Sequence, residues 1–167
     1  PDGDALTITA ASVTNGQGSV SIVDGQLVYD PGDSYNHLSD GFSTIKVRVS
    51  GDHLDGAPEM RIIVDGNIVE TISVTANRAA GEWQEIVVTG NFGPDGPQQV
   101  QVAFTNDHYL AGVGDRNLIV DYIDVNGTVY QAESPDTSYL RHSDTIAGQE
   151  TMAWAGALQF DTSNNAG

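Results

Sequence analysis

Residues 104–123 read FTNDHYLAGVGDRNLIVDYI, and this stretch predicts two core strands joined by a polar loop. Apolar residues precede position 105 and resume at position 118, so the loop is expected to lie between two buried strands. The loop itself combines acidic, amide and glycine positions: Asn106, Asp107, Gly112, Gly114 and Asp115. Carboxylate and amide oxygens on such a loop are the ligands that a hard cation such as Ca²⁺ prefers. A loop held by rigid strands is also where binding residues are usually found.

The rest of the chain predicts an all-β fold, since helical periodicity is almost absent. Ile45, Val47 and Val49 alternate with polar residues, as in a strand that buries one face. The 19 Gly and 6 Pro residues separate many short runs of this kind. Three dipeptides that favour tight hairpin turns lie between β-prone runs: Asp24-Gly25, Asp65-Gly66 and Asn126-Gly127. This pattern predicts an antiparallel β-sandwich.

Composition and charge exclude several classes of function. The chain has 167 residues and a formal net charge of −17. That charge opposes binding to nucleic acid, whose phosphates are negative, and to anionic lipid. No apolar run is long enough to span a membrane, and no cysteine is present to form a disulfide framework. The start of the sequence does not resemble a signal peptide, so we expect a segment of a larger secreted, extracellular chain. The acidity suits bacterial Ca²⁺-binding modules, although solubility alone also accounts for it.

Residues 1–42 are expected to form a separate β-hairpin segment. The sequence GSVSIVDGQLVYDPGDSYNHLSDG resembles part of the VCBS and cadherin-like repeats of bacterial surface proteins. The positions that carry this resemblance are Gly18, Val20, Leu27, Tyr29, Pro31, Tyr35, Leu38 and Gly41. The usual last strand of that repeat is not evident, so the segment is expected to be docked or to serve as a linker. Residues 133–167 are expected to be an extension with one strand, 153–160, packed on the sandwich.

Residues 43–132 resemble the Ca²⁺-dependent, xylan-binding carbohydrate-binding modules of families 36 and 60. The resemblance lies in the strand 45–49, in GDHLDGAPEMRIIVDG at 51–66, and in the strand that begins at Trp83. Its most specific part is Phe104-Thr105-Asn106-Asp107 followed by Asp115-Arg116-Asn117-Leu118. The resemblance implies a jelly-roll-like β-sandwich that binds a polysaccharide such as xylan without cleaving it. It also implies a bound Ca²⁺ whose coordination is completed by two adjacent hydroxyls of the sugar.

The resemblance further implies roles for individual residues. Asp107 and Asp115 would be the principal Ca²⁺ ligands, with Glu59 and Asn106 as further oxygen donors. Carbonyls of the loop around Gly112 would add neutral oxygens. The remaining residues expected to contact the sugar are His108, Tyr109 and Arg116.

Several of these residues have alternatives. Asp107 and Asp115 also fit solvated turn positions, and Arg116 fits an ion pair with a nearby acid. Asp121 is either a structural acid or a ligand of a second ion. Trp83 and Trp154 are expected in the core. These alternatives concern single side chains and leave the predicted fold unchanged.

The sequence is compatible with three functions. The first is the non-catalytic carbohydrate-binding module. The second is a glycoside hydrolase or lyase, which needs two carboxylates facing each other across a cleft, and no second acid pair stands out. We therefore expect no enzymatic activity. The third is a structural or adhesive domain of a large surface protein, stabilised by Ca²⁺.

Overall fold

The computed structural model describes residues 10–12, 19–24, 26–30 and 41–163, in two compact units, 1–40 and 41–167. In the first unit, β1 (Ser19–Val23) pairs antiparallel with β2 (Gln26–Asp30). Asp24 at the turn has a φ of 52°, as its predicted hairpin turn requires. Of the positions that suggested a surface-protein repeat, four lie outside the described residues: Gly18, Pro31, Tyr35 and Leu38.

The second unit is built from short strands and a single-turn 3₁₀ helix at Arg78–Ala80. Its strands are β3 (Phe42–Asp52), β4 (Glu59–Val64), β5 (Asn67–Ser73), β6 (Gln84–Asn91), β7 (Gln99–Phe104), β8 (His108–Leu110), β9 (Gly114–Val125), β10 (Thr128–Gln131), β11 (Ser138–Arg141), β12 (Thr145–Ala147), β13 (Thr151–Met152) and β14 (Gly156–Asp161). Every strand pair is antiparallel. No helix among the described residues is long and apolar enough to cross a membrane.

The strands form two six-stranded sheets. The first has the order β10-β9-β3-β6, with β8 and β13 also paired to β9. The second has the order β12-β11-β14-β7-β4-β5. Buried side chains of both sheets form one core cluster, to which β3 contributes Ile45 and β14 contributes Leu158. The second unit is therefore an antiparallel β-sandwich, which confirms the predicted fold class.

The alternating pattern of the sequence explains which side chains enter the core. Ile45, Val47 and Val49 are fully buried in β3, while the intervening Lys46 and Arg48 face the outside. At the β4–β5 turn, Asp65 and Gly66 have φ values of 49° and 82°, and Asn126-Gly127 makes the same kind of turn between β9 and β10. The positive φ values are the reason that Asx-Gly pairs predict hairpins.

Residues 133–163 contribute four strands, β11 to β14, rather than the one that the sequence suggested. The expected strand over 153–160 corresponds to β14, and its Leu158 and Phe160 are buried. β11, β12 and β13 are only two to four residues long, which is too short to give a clear alternation of apolar residues.

Candidate functional site

The polar stretch after β7 folds into a short hairpin, β8–β9, and not into a loose loop. Tyr109 pairs with Asp115, and His108 pairs with Arg116. The turn is closed by the N–H of Val113, which donates to the carbonyl of Leu110 at 3.0 Å. Gly112 lies in this turn with a φ of 73°, a left-handed conformation that glycine adopts readily. A Cβ at this position would meet nothing within 4 Å, so glycine is favoured by the backbone conformation and not by a lack of space. The pairing directs Tyr109 and Asp115 to the same face.

Arg116 holds the base of this hairpin against the 54–56 turn. Its side chain is 8% exposed, and its guanidinium donates to the backbone carbonyls of Asn106 and Asp55, each at 2.8 Å, and to that of Leu54. The fork of the guanidinium suits several acceptors at once. The sequence left open whether Arg116 contacts the sugar or pairs with an acid; in the structure its hydrogen bonds are to main-chain carbonyls.

Asn106 and Glu59 connect the end of β7 to the start of β4. The Asn106 side chain accepts from the N–H of Glu59 at 2.6 Å and donates to the carbonyl of Ala57 at 3.0 Å. The Glu59 carboxylate accepts from the Thr105 hydroxyl at 2.7 Å. Both side chains, predicted as oxygen donors to a metal, therefore already have hydrogen-bond partners within the protein.

Asp115 is the side chain whose environment points most directly to a cation. Its Oδ1 is buried and has no hydrogen-bond partner. Burial raises the pKa of the Asp115 carboxyl above its ordinary value, and the negative charges of Asp107 and Asp52 raise it further, while a backbone hydrogen bond from Arg116 opposes the rise. A carboxylate that is shielded from water and repelled by other acids is stabilised when a cation binds beside it.

A cleft of about 350 Å³ opens at this carboxylate. It is lined by Asp107, Tyr109, Asp115, Ala153 and Trp154. Tyr109 is 67% exposed. The cleft thus brings two of the predicted metal ligands together with one of the predicted sugar contacts. His108, also predicted to contact the sugar, is not a lining residue of this cleft; it pairs with Arg116, and its Nε2 lies 3.5 Å from a carboxylate oxygen of Asp55.

Trp154 was missed as a site residue, because the sequence suggested that it lies in the core. Its side chain is 55% exposed. The short strand β13 pairs Thr151 and Met152 with Ile119 and Leu118 of β9, and the chain then passes the start of β9 at Ala153 and Trp154. The local sequence, Ala-Trp-Ala-Gly, carries no signal that would have marked Trp154 as exposed.

Trp83 and Asp121, whose roles the sequence did not decide, do not line the cleft. Trp83 is 39% exposed rather than in the core, and the guanidinium of Arg48 lies 4.8 Å from its ring centroid. Asp121 forms an ion pair with Arg48 at 2.8 Å, as expected of a structural acid.

The residues of the cleft fit a Ca²⁺ ion by the chemistry of their donors. Within the described part of the chain, no three His, Cys, Asp or Glu side chains are gathered closely enough to hold a metal ion by themselves. An ion here would therefore need neutral oxygens in addition to Asp107 and Asp115. Ca²⁺ accepts six to eight oxygens from carboxylates, carbonyls, amides and water in a tolerant geometry. The unpartnered oxygen of Asp115 supplies the observation that favours an ion.

A β-sandwich with an acidic, aromatic-lined cleft at one edge is typical of a carbohydrate-binding domain. A family model described as CBM60, a Ca-dependent carbohydrate-binding module, xylan-binding, matches residues 44–140. The chain belongs to this family. It is accordingly a non-catalytic carbohydrate-binding module, and the family is Ca²⁺-dependent.

Two solved structures are similar to the chain at 27% sequence identity. One is the selenomethionine form of vCBM60, with a TM-score of 0.52, described in work on circular permutation as a link between two families of calcium-dependent carbohydrate-binding modules. The other is vCBM60 in complex with galactobiose, with a TM-score of 0.53. The similarity covers 71% of this chain, and 90% and 97% of those chains. No curated protein sequence matches the chain.

Proposed function

We propose that this module binds a β-glycan such as xylan through a Ca²⁺ ion held by Asp107 and Asp115. Two adjacent hydroxyls of one sugar residue would complete the coordination of the ion. The observation that carries this proposal is that Asp115 lines the cleft and that its carboxylate includes a buried oxygen, Oδ1, with no hydrogen-bond partner. An ion bound there would supply a fixed positive charge that orients the sugar oxygens.

The side chains around the ion divide into two groups. Tyr109 and Trp154 line the cleft and would contact the apolar faces of the sugar rings. Arg116 and Asn106 are occupied by main-chain partners, so we infer that they hold the hairpin and the 54–59 segment in place. Glu59 would act through Thr105 on the same segment, or turn towards the ion when it binds. Carbonyl oxygens near Gly112 and His108 remain candidates for the neutral ligands.

The class of sugar follows from the chemistry of the cleft. A diol on neighbouring carbons that projects both oxygens outward is present in xylan, galactan and cellulose alike. The acidic walls and the net charge of −17 oppose polyanionic glycans, so the ligand would be a neutral chain. The similar module vCBM60 was solved with galactobiose, so a galactan is the natural second sugar to test beside xylan.

Ca²⁺ and sugar should bind cooperatively. If sugar hydroxyls enter the coordination shell, xylohexaose must tighten Ca²⁺ binding by the same factor as Ca²⁺ tightens xylohexaose binding. We expect at least a tenfold decrease in the Kd of Ca²⁺ at saturating xylohexaose, measured by calorimetric titration of CaCl₂ into metal-free protein. A Kd for Ca²⁺ that does not change with the sugar would show that the ion does not contact it.

We also propose that the module functions outside the cell as part of a larger bacterial protein. The strongly acidic composition and the repeat-like sequence of residues 18–41 support this setting. In such a protein the module would attach the parent chain to plant polysaccharide. The same repeat-like sequence favours a second role, in which Ca²⁺ stiffens an adhesive surface protein; that role predicts stabilisation by Ca²⁺ without affinity for any glycan.

A further inference from the structure

Trp154 lines a second cleft in addition to the one that contains Asp107 and Asp115. This second cleft has a volume of about 250 Å³. Its other lining residues come from the end of β11, the turn that follows it and the residue before β14: Arg141, His142, Ser143, Asp144 and Ala155. Apart from Trp154, the two clefts share no lining residue. The Trp154 side chain is therefore a wall common to both.

The Trp154 side chain is held in place by the residues of β11. The guanidinium carbon of Arg141 lies 4.9 Å from the Trp154 ring centroid and 5.9 Å from that of Tyr139. The backbone N–H of Trp154 donates to the Tyr139 hydroxyl at 3.3 Å, and this hydroxyl also donates to the backbone carbonyl of Trp154, so these two bonds hold the main chain at Trp154. A ring that projects from a fixed main chain and lies against a guanidinium loses little conformational entropy when a ligand contacts it.

The Arg141 guanidinium is in turn fixed by a carboxylate. Its Nε donates to one oxygen of Asp144 at 2.8 Å, and its Nη2 donates to the other. This two-point pairing neutralises the charge of Arg141, the one arginine or lysine of the cleft lining, and uses the donors with which arginine binds carboxylates. The second cleft therefore offers no unpaired arginine or lysine to an acidic sugar, and a neutral sugar suits it better.

The remaining surface of the second cleft has the mixed character of a sugar site. Trp154 and Ala155 supply apolar surface, while the exposed His142 and Ser143 carry groups that donate and accept hydrogen bonds. A pyranose ring presents the matching features, an apolar face and a rim of hydroxyls. Small-molecule sites usually combine apolar walls with a few polar groups in this way.

We propose that the second cleft is a metal-independent subsite for a sugar residue near the one bound at Ca²⁺ in the same glycan chain. This inference rests on the proposed function of the first cleft. The module then recognises a segment of the polysaccharide chain rather than a single sugar residue. Affinity should accordingly rise with chain length over the first two or three residues and change little beyond them.

The test compares ligands of increasing length in the presence of Ca²⁺: methyl β-xyloside, xylobiose, xylotriose and xylohexaose. We expect the wild-type affinity, measured by calorimetry, to increase about tenfold from the monosaccharide to xylotriose, as one additional set of contacts allows. Ala155→Phe, which fills the second cleft, should bind methyl β-xyloside as the wild type does but lose this increase. Val87→Phe places the same ring at a strand position that is 56% exposed and lines neither cleft, and it should keep the increase.

A second variant removes polar groups instead of adding bulk. His142→Ala combined with Ser143→Ala should reduce the length dependence while leaving methyl β-xyloside binding unchanged. The inference is overturned if the wild type binds all four ligands equally well, or if both cleft variants retain the full tenfold increase. In either case Ca²⁺-dependent binding of methyl β-xyloside would leave the proposed function intact. Failure of every ligand to bind the wild type in Ca²⁺ would overturn both proposals.

Discussion

Asp115→Ala is expected to abolish Ca²⁺-dependent glycan binding and to leave the fold intact. The substitution removes the carboxylate whose buried Oδ1 has no hydrogen-bond partner in the protein. Loss of this ligand should weaken xylohexaose binding at least about a hundredfold, or about 3 kcal/mol. Calorimetric titration of xylohexaose into the variant in excess Ca²⁺ measures the effect.

Asp115→Ala is expected to weaken glycan binding but not to lower the stability of the metal-free protein. In the absence of Ca²⁺ the Asp115 carboxylate is repelled by Asp107 and Asp52. Its removal should therefore maintain or increase the free energy of unfolding in EDTA, while the stabilisation of the wild type by Ca²⁺ disappears. The control Asp95→Ala removes one negative charge at an exposed loop position. It should change neither the free energy of unfolding in EDTA nor the stabilisation by Ca²⁺. Wild-type affinity in Asp115→Ala would contradict the assignment of the ligand.

Arg116→Ala is expected to have the largest effect on stability. The substitution leaves the carbonyls of Leu54, Asp55 and Asn106 without their donor. Unpaired polar groups in a part-buried region cost about 1 kcal/mol or more each, so the free energy of unfolding should fall by about 3 kcal/mol. Urea unfolding in EDTA measures the loss independently of metal binding.

Two further variants test whether the guanidinium of Arg116, and not its charge alone, stabilises the fold. Arg116→Lys keeps the charge but replaces the planar guanidinium by a single ammonium group, which cannot reach all three carbonyls. It should therefore recover only part of the lost free energy of unfolding. Arg78→Ala removes an arginine at an exposed position that lies 3.8 Å from Asp52, and it should cost less than about 1 kcal/mol. Equal stability of Arg116→Ala and Arg78→Ala would show that the guanidinium does not hold the hairpin in place.

The sandwich was predictable because its determinants are local. The alternation of Ile45, Val47 and Val49 with polar residues fixes which face of β3 is buried, and Asp65-Gly66 fixes the hairpin that follows β4. These signals are the periodicity of apolar side chains and the turn preference of an Asx-Gly pair, and both can be recognised within a few consecutive residues. The short strands β11 to β13 carry no such periodicity, and their place depends on pairing with distant partners.

The candidate site was predictable in part, for the same reason. Asp107 and Asp115 lie in one chain segment, so their convergence needs only a hairpin. The exposure of Trp154 depends on β13 pairing with β9, a contact between positions more than thirty residues apart, and no local pattern reports it. The partners of Arg116 are carbonyls of a distant turn, which the sequence does not distinguish from other acceptors.

The proposed Ca²⁺ site is tested most directly by a calorimetric titration of xylohexaose into the wild-type protein, once in Ca²⁺ and once in EDTA. We expect binding in Ca²⁺ and none in EDTA, because in EDTA the sugar hydroxyls have no ion to coordinate. Galactobiose and a charged polyuronate in the same two buffers would test the preference for a neutral chain. Binding of equal strength in Ca²⁺ and in EDTA would show that the sugar does not bind through an ion at Asp107 and Asp115.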